Sequence, residues 1–329
     1  MPRRRVPKAL ALFLLVRTFV FATDTAPPLS FTRLADIRSL SPVEAERGHP
    51  AEVHGIITYV NPDTGSLFVQ DGADGIYVFL SESKAEVPPQ RGQRVTVKGI
   101  TTAGRFAPSL TKATMTVDGF GGLPAPKKLE FDYLMAGCED SLLAEVSGIV
   151  RSGQIIGTQL WLSVASNGGA FLARVRIFPP AWKLRLVDVT VTVRGVIAST
   201  YNDRSQSIGM QMMVSDAGDI HILVPPQPDV FKLPVSPTTA VGGFRRASLD
   251  HRIHVRGTVI GVESGIVYVA DANGSLAVES RSAADLRAGD SIDIAGFPGA
   301  VDGRPGLQDA VWRIGGTPVL PVPRPIRGD

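Results

Sequence analysis

The sequence AEVHGIITYV at residues 51–60 decides the fold of this chain because it returns twice, as AEVSGIVRSG at 144–153 and IHVRGTVIGV at 253–262. Apolar and polar residues alternate in each copy, which is typical of a β-strand with one buried face, and a glycine interrupts the alternation. A later strand of each copy also ends in a glycine, at Gly99, Gly195 and Gly296. The two glycines of a copy stand 44, 47 and 39 positions apart. This near-constant spacing indicates a threefold internal repeat.

A hairpin lies between the two glycine-containing strands of every copy. The three hairpins read SLFVQ-DGADG-IYVFL, QLWLSV-ASNGG-AFLARV and IVYVA-DANGS-LAVES. Alternating residues on both sides of a short Gly, Asn and Asp turn are the strongest local signal of antiparallel pairing. One more strand follows the second glycine, as SLTKATMTV, IGMQMMV and LQDAVWRI. Each copy therefore predicts five strands.

The first and third hairpin turns resemble part of a calcium loop, since glycines bracket Asp71 and Asp74 and a similar DANG stands at 271–274. The second copy has no carboxylate in its turn, and a calcium loop needs further oxygen ligands. Asp and Asn favour tight turns by bonding their own backbone, and Gly accepts a positive φ. We therefore favour ordinary turns over a metal site used twice, and the sequence predicts no metal ligand and no cofactor.

Five short strands, with glycine in the first and at the end of the fourth, are typical of a small coiled Greek-key barrel. The sequence thus predicts an all-β chain of three tandem five-stranded OB-like barrels, at residues 29–123, 127–224 and 234–318. Proline-rich connectors separate them, and a proline-rich tail occupies 319–329. Helix-like apolar spacing before each first strand predicts a short lead-in helix that closes the bottom of each barrel.

Residues 1–22 are typical of a secretion signal peptide: a basic start, the short apolar run ALALFLLV, and small residues before the end. A retained membrane anchor is the alternative, but the run is shorter than the ~20 residues of a spanning helix. Without this leader, the number of Lys and Arg residues falls from 34 to 29, against 31 Asp and Glu residues. The net charge of the remaining chain therefore gives little support to nucleic-acid binding. We expect an exported protein, periplasmic or extracellular. We also expect Cys138, the single cysteine, to be a buried thiol or to pair between chains.

The order of these segments resembles the extracytoplasmic sensory region of large bacterial membrane sensor histidine kinases. The resemblance covers nearly the whole chain after the leader, and its most specific parts are the FVQD hairpin and the strand GQRVTVKG. In that family several OB-like modules precede a membrane helix and a kinase or other output domain of a two-component system. No such helix or kinase segment follows Gly316. The resemblance therefore implies a non-catalytic sensory module, either free-standing or the front part of a longer receptor.

Alignment of the hairpins places an aromatic residue at one position of each copy: Phe68, Trp161 and Tyr268. Their neighbours Val69, Leu162 and Val269 must face the other side of the strand. Aromatic residues on this surface of OB-folds serve as stacking platforms, and Tyr77 would extend the platform in the first copy. The alternative is that these rings belong to the core or pack against an adjoining module.

The loop between the fourth and fifth strands flanks the ligand groove of an OB-fold, so its residues are further candidates for binding. They are Arg105, Phe106, Tyr201, Asn202, Arg204 and Arg304. An ordinary exposed loop is the alternative. The chain has no nucleophile elbow, no phosphate-binding loop and no H-E-x-x-H motif, so no residue is assigned a catalytic role.

The sequence favours an exported, non-enzymatic sensor or interaction module that recognises a small molecule, a glycan or a protein. A secreted binder of nucleic acid or another polyanion is the alternative, and it would require a basic stripe on the surface. A hydrolase would require two acids that face each other in a pocket.

Overall fold

The computed structural model describes residues 30–81, 88–167, 169–202, 204, 206–241, 251–280 and 282–316. The predicted signal peptide, the predicted proline-rich tail and most of the third lead-in segment lie outside the described residues. The module limits of the sequence analysis stay predictions. The strands within those limits form three closed barrels, which we number 1 to 3 along the chain.

Barrel 1 is a ring of five strands in the order β1-β2-β3-β5-β4. The strands are β1 (Pro50–Asn61), β2 (Ser66–Asp71), β3 (Asp74–Leu80), β4 (Gln93–Thr102) and β5 (Ser109–Phe120). All neighbours are antiparallel except β3 and β5, which are parallel, and β4 closes the ring on β1, with Ala51 opposite Gly99. This strand order is that of an OB-fold.

Barrel 2 repeats the same order and closes through the pairing of its first and fourth strands. The ring strands are β7 (Leu143–Ile156), β8 (Gln159–Ser166), β9 (Gly169–Ile177), β10 (Thr190–Tyr201) and β11 (Ser207–Asp216). Two short strands add to the edges: β6 (Lys127–Lys128) pairs with β7, and β12 (Ile220–Val224) pairs with β10.

Barrel 3 has the same order again and closes through its first and fourth strands. Its ring strands are β14 (Ile253–Glu263), β15 (Ile266–Ala270), β16 (Ser275–Glu279), β17 (Ser291–Val301) and β18 (Arg304–Ile314). The short strand β13 (Val235–Ser236) adds to β14. The predicted all-β chain of OB-like barrels is confirmed.

The glycine of each first strand allows that strand to pair with two neighbours. In barrel 1, Ile56 faces Gln70 of β2 and Arg94 of β4, so the strand changes partner at this point. A Cβ on the preceding Gly55 would lie 2.8 Å from the carbonyl oxygen of Gln70, too close for any other residue. The glycine is therefore required by the close crossing of β1 over β2.

Short helices precede or interrupt the barrels. The α-helices are α1 (Leu34–Arg38), α2 (Pro42–Ala45), α3 (Phe131–Ala136) and α4 (Trp182–Arg185). Short 3-10 helices are Ala217–Asp219, Val230–Lys232, Thr238–Val241 and Ala283–Asp285. Leu34 of α1, Leu134 of α3 and Val241 pack into the cores of barrels 1, 2 and 3. The predicted lead-in helices are therefore present before barrels 1 and 2, and the described part of the third segment begins with a 3-10 turn.

Each barrel core is apolar and contains the residue that follows the aligned aromatic. Val69, Leu162 and Val269 are fully buried in the three cores. Because strand side chains alternate, Phe68, Trp161 and Tyr268 lie on the outer faces of the barrels. What covers each outer face then differs from barrel to barrel.

Candidate functional site

Barrels 1 and 2 meet through a small apolar cluster of their own, separate from the barrel cores. We call it the junction cluster, and it consists of Tyr59, Phe68, Leu143, Val196 and Met213. Phe68 is only 6% exposed, since barrel 2 covers the outer face of β2. The Phe68 ring therefore packs against the adjoining barrel, which is one of the two alternatives to a solvent-exposed stacking platform.

Tyr59 reaches this junction because β1 contains a bulge. Ile57 lies in the core of barrel 1, and strict alternation would place Tyr59 there as well. The pairing of β1 with β2 shifts between Ile57 and Tyr59, and a bulge of one residue moves the following side chains to the opposite face. Tyr59 therefore joins the junction cluster, while Val60 turns toward the core.

A cleft of about 690 Å³ opens beside the junction cluster, and both barrels line it. We call it the junction cleft. Five of the sequence-predicted binding residues line it: Phe68, Tyr77, Arg105, Phe106 and Tyr201. The volume lies in the range of small-molecule sites. The structure thus brings the hairpin aromatics of barrel 1 together with loop residues of both barrels.

Four aromatic rings of barrel 1 form a continuous wall of the junction cleft, which we call the ring ladder. The ring centroids of Tyr59 and Phe68 lie 6.2 Å apart, those of Phe68 and Tyr77 4.8 Å, and those of Tyr77 and Phe79 4.7 Å. The Tyr77 hydroxyl donates a hydrogen bond of 2.7 Å to Ser66 Oγ, and this bond fixes its ring. The ladder runs from the buried Tyr59 to Phe79, which is 41% exposed.

The mouth of the cleft is formed by contacts between the two barrels. The Arg105 guanidinium of barrel 1 lies over the Tyr201 ring of barrel 2, 5.0 Å from its centroid. Phe106 rests on the glycine that ends α3, since a Cβ on Gly137 would lie 2.8 Å from the Phe106 ring. The β4–β5 loop of barrel 1 is thereby held against barrel 2.

Two buried hydroxyl groups line the cleft without a hydrogen-bond partner among the described residues. They are Tyr59 Oη and Ser109 Oγ, and their residues are 1% and 2% exposed. Burial raises the pKa of Tyr59, while the positive charges of Arg176 and Arg174 oppose this shift. An unpaired buried donor costs free energy, so both groups demand an explanation.

The two acids that line the cleft are already engaged. Glu46 accepts hydrogen bonds of 2.9 Å from Thr102 Oγ1 and from the Ala103 amide, and these bonds lower its pKa. Asp140 pairs with Arg38 at 3.0 Å. Burial raises the pKa of Asp140, and the Arg38 charge opposes the shift.

Further contacts hold the barrels together around the cleft. Arg91 of barrel 1 forms a bidentate pair with the buried Asp219 of barrel 2, with distances of 2.7 and 2.9 Å. Gln70 Oε1 accepts a 2.9 Å bond from the Leu143 amide across the junction. A Cβ on Gly75 would collide with the Ser141 carbonyl oxygen, so the β2–β3 turn touches barrel 2 at its backbone.

Three candidates of barrel 2 lie beside or outside the cleft. Trp161 is half-buried under Arg174, whose guanidinium lies 4.6 Å from the ring centroid and does line the cleft. Asn202 Oδ1 accepts from the amides of Arg204 and Gln206, so it shapes the β10–β11 turn. Arg204 is exposed in that turn.

The last two candidates line a separate pocket on barrel 3. Tyr268 and Arg304 contribute to a pocket of about 460 Å³ beside the 3-10 turn that precedes this barrel. The nearby Asp271 accepts bonds from the Thr238 hydroxyl and from the Asn273 and Gly274 amides. The Asp271 carboxylate therefore stabilises the hairpin turn of barrel 3. This agrees with the prediction that the DANG segment is an ordinary turn.

Three other features bear on the chemistry of the site. Within the described ranges, no group of three His, Cys, Asp or Glu side chains could hold a metal ion. None of the described helices has the length and apolar character needed to cross a membrane. Cys138 is exposed, so the expectation of a buried thiol is wrong; it follows the helix-ending Gly137 in a surface turn.

Sequence reasoning missed three residues that line the cleft. Tyr59, Ser109 and Arg174 were not among the candidates, although they line the cleft with the predicted residues. The bulge that turns Tyr59 outward leaves no mark in the alternation of β1. Arg174 did carry a signal, because it stands with Arg176 on the strand paired to the one that bears Trp161.

No protein-family model matches this chain, and no curated protein matches it. A murine DNA-binding protein solved with double-stranded DNA is 8% identical with a TM-score of 0.28, over 54% of this chain and 99% of that one. The Ifi202 HINa domain in complex with 20-bp double-stranded DNA is 11% identical with a TM-score of 0.21, over 51% and 94% of the two chains.

Asparaginyl-tRNA synthetase from Pyrococcus horikoshii is 13% identical with a TM-score of 0.25, over 32% of this chain. The match spans 25% of the synthetase. Likeness at these values adds no argument about ligand or activity.

Proposed function

We propose that this protein is a non-catalytic binding protein whose ligand site is the junction cleft. The observation that carries the proposal is the convergence of five sequence-predicted binding residues, from two barrels, in one cleft of about 690 Å³. Aromatic walls with a few fixed polar groups are the usual composition of small-molecule sites. In the setting that the sequence resemblance implies, the chain is an exported sensory module, and the ligand bridges two of its barrels.

A small ligand accounts for the site better than a polymer does. An OB-fold that binds a nucleic-acid strand presents its β2–β3 aromatics to solvent along an open groove. In barrel 1 this position is occupied by barrel 2, which leaves Phe68 6% exposed. The cleft has a volume of about 690 Å³, in the range of small-molecule sites.

The test is a binding screen with a matched pair of variants. We expect at least one ring-containing small molecule to raise the melting temperature of the protein. Phe79→Ala should abolish this rise, because Phe79 forms the exposed end of the ring ladder. Phe120→Ala should preserve it, because that ring is 70% exposed on the same barrel and outside the cleft.

Two results would contradict the proposal. One is the absence of stabilisation by any compound of a chemically diverse set of ring-containing molecules. The other is equal stabilisation of the wild-type protein and Phe79→Ala, which would place the binding site elsewhere.

A further inference from the structure

The Arg174 side chain is a partly buried cation at the wall of the junction cleft. Its guanidinium lies over Trp161, and its Nε donates a 3.0 Å bond to Gln159 Oε1. No carboxylate of the described part of the chain pairs with it. Burial lowers the pKa of Arg174. A guanidinium that is partly removed from water without a counter-ion favours the arrival of an anion.

A second cation and one hydroxyl donor stand near Arg174. Arg176 lies two residues farther along β9, and its buried Nε has no partner among the described residues. The positive charges of both arginines act on the Tyr59 hydroxyl, and the negative charge of Asp63 opposes them with a smaller effect. Tyr59 Oη and Ser109 Oγ are the two unpaired hydroxyls of the cleft. Arg174, Arg176 and the Tyr59 hydroxyl therefore occur together, whereas Ser109 lies three strands away from Tyr59, beside Tyr77.

The acids of the cleft do not offset these cations. The Glu46 carboxylate accepts hydrogen bonds from the Thr102 hydroxyl and the Ala103 amide. The Asp140 carboxylate forms an ion pair with Arg38. The ring ladder supplies an apolar, stackable surface next to the charged end. A ligand that satisfies both parts must carry a ring and a negative charge.

We propose that the junction cleft binds a small organic anion, with an aromatic or cyclic body on the ring ladder and a carboxylate or phosphate group at Arg174 and Tyr59. This inference rests on the proposed function, because it names the ligand class of the same site. Carboxylate and phosphate share the required chemistry, namely several acceptor oxygens on one negative charge.

The test compares four probes that share one ring system and differ in charge. They are naphthalene-2-carboxylate, 2-naphthyl phosphate, 2-naphthylmethanol and 2-naphthylmethylammonium, each titrated by calorimetry. At least one anion should bind about tenfold or more tightly than the alcohol, since a hydrogen bond to a charged group contributes more than a neutral one. The ammonium probe should bind most weakly. Comparing the two anions distinguishes carboxylate from phosphate as the natural headgroup.

Matched variants locate the charge that produces the preference. Arg174→Gln should reduce the affinity of the better anion to that of the alcohol, and Arg204→Gln, which removes one exposed arginine of the same barrel, should leave it unchanged. Tyr59→Phe provides an independent check, because it keeps the ring and removes the hydroxyl donor beside Arg174. Tyr59→Phe should lower the affinity for the anion several-fold and leave the affinity for the alcohol unchanged.

Three results would overturn the inference: equal binding of the alcohol and the anions, tighter binding of the ammonium probe, or an anion preference that survives Arg174→Gln. If no naphthyl probe binds while other ring compounds of the screen do, the anion inference fails and the proposed function stands. If no compound of either set binds, the proposed function fails as well.

Discussion

The two junctions of this chain connect similar barrels by different chemistry. Barrel 1 meets barrel 2 through the apolar junction cluster, a bidentate Arg91–Asp219 pair and a backbone contact at Gly75. Barrel 2 meets barrel 3 through polar and cationic contacts. Arg151 and Arg252 lie over the Phe297 ring at 4.3 and 4.9 Å.

At the second junction, His251 Nδ1 lies 2.9 Å from the buried Asp188 carboxylate, and Nε2 lies 3.1 Å from Thr190. The proposed binding site lies at the first of these two junctions. The first junction therefore adds a separate apolar cluster to its polar contacts, whereas the second consists of a buried acid with its histidine and of two arginines over one buried ring.

Each junction also contains a backbone amide that reports its opening. The Leu143 amide donates to Gln70 across the first junction, and the Arg252 amide donates to Asp188 across the second at 3.2 Å. Hydrogen exchange of these amides therefore measures the two junctions separately.

The largest effect is expected from Arg91→Ala. The substitution leaves Asp219, which is 8% exposed, without its partner, and removing one member of a buried pair costs about 3 kcal/mol. Urea unfolding should show this loss, and exchange at Leu143 should accelerate. Arg204→Ala removes an exposed arginine and should change the stability little. Equal stability of both variants would show that the ion pair does not hold the first junction.

A somewhat smaller effect is expected from Gly75→Ala. The new Cβ collides with the Ser141 carbonyl oxygen, and overpacking of this kind costs about 2 kcal/mol. Exchange at Leu143 should accelerate while that at Arg252 stays constant. Gly261→Ala is the control, because its Cβ would meet open space. Unchanged exchange at Leu143 in Gly75→Ala would refute the backbone contact.

His251→Ala should act only on the second junction. Asp188 loses one charge-assisted partner but keeps the Arg252 amide, so we expect a loss of about 1.5 kcal/mol. Exchange should accelerate at Arg252 and not at Leu143. The exposed His221→Ala serves as the matched control. Acceleration at both reporters would mean that the junctions open together, which contradicts the distinction drawn above.

The smallest effect has the opposite sign. Tyr59→Phe removes a buried hydroxyl without a partner among the described residues, so the free energy of unfolding should rise by about 1 kcal/mol. Tyr133→Phe, at a residue 68% exposed, should have no effect. A stabilised variant that binds ligand less well would identify the hydroxyl as part of the site. A destabilised one would mean that the hydroxyl already has a partner.

Much of the candidate site was predictable because it depends on local periodicity. Strand alternation placed Val69 and Phe68 on opposite faces of β2, without deciding which face is the core, and the OB-fold order placed the Arg105 loop near the hairpin. Asn202 and Arg204 were predicted for the same reason, yet Asn202 shapes its own turn. A loop position in sequence does not reveal which way its side chains turn.

The sequence by itself determined the threefold repeat, the five strands of each copy and the closure of each barrel, because alternation and glycine placement act over a few residues. Only the tertiary structure decided that two outer faces meet in one cleft. The bulge before Tyr59 depends on pairing with the next strand. The collision distance between Gly75 and Ser141 and the burial of Phe68 by barrel 2 both depend on segments far apart in the chain. Packing between such segments follows from shape and burial in three dimensions, which no local pattern encodes.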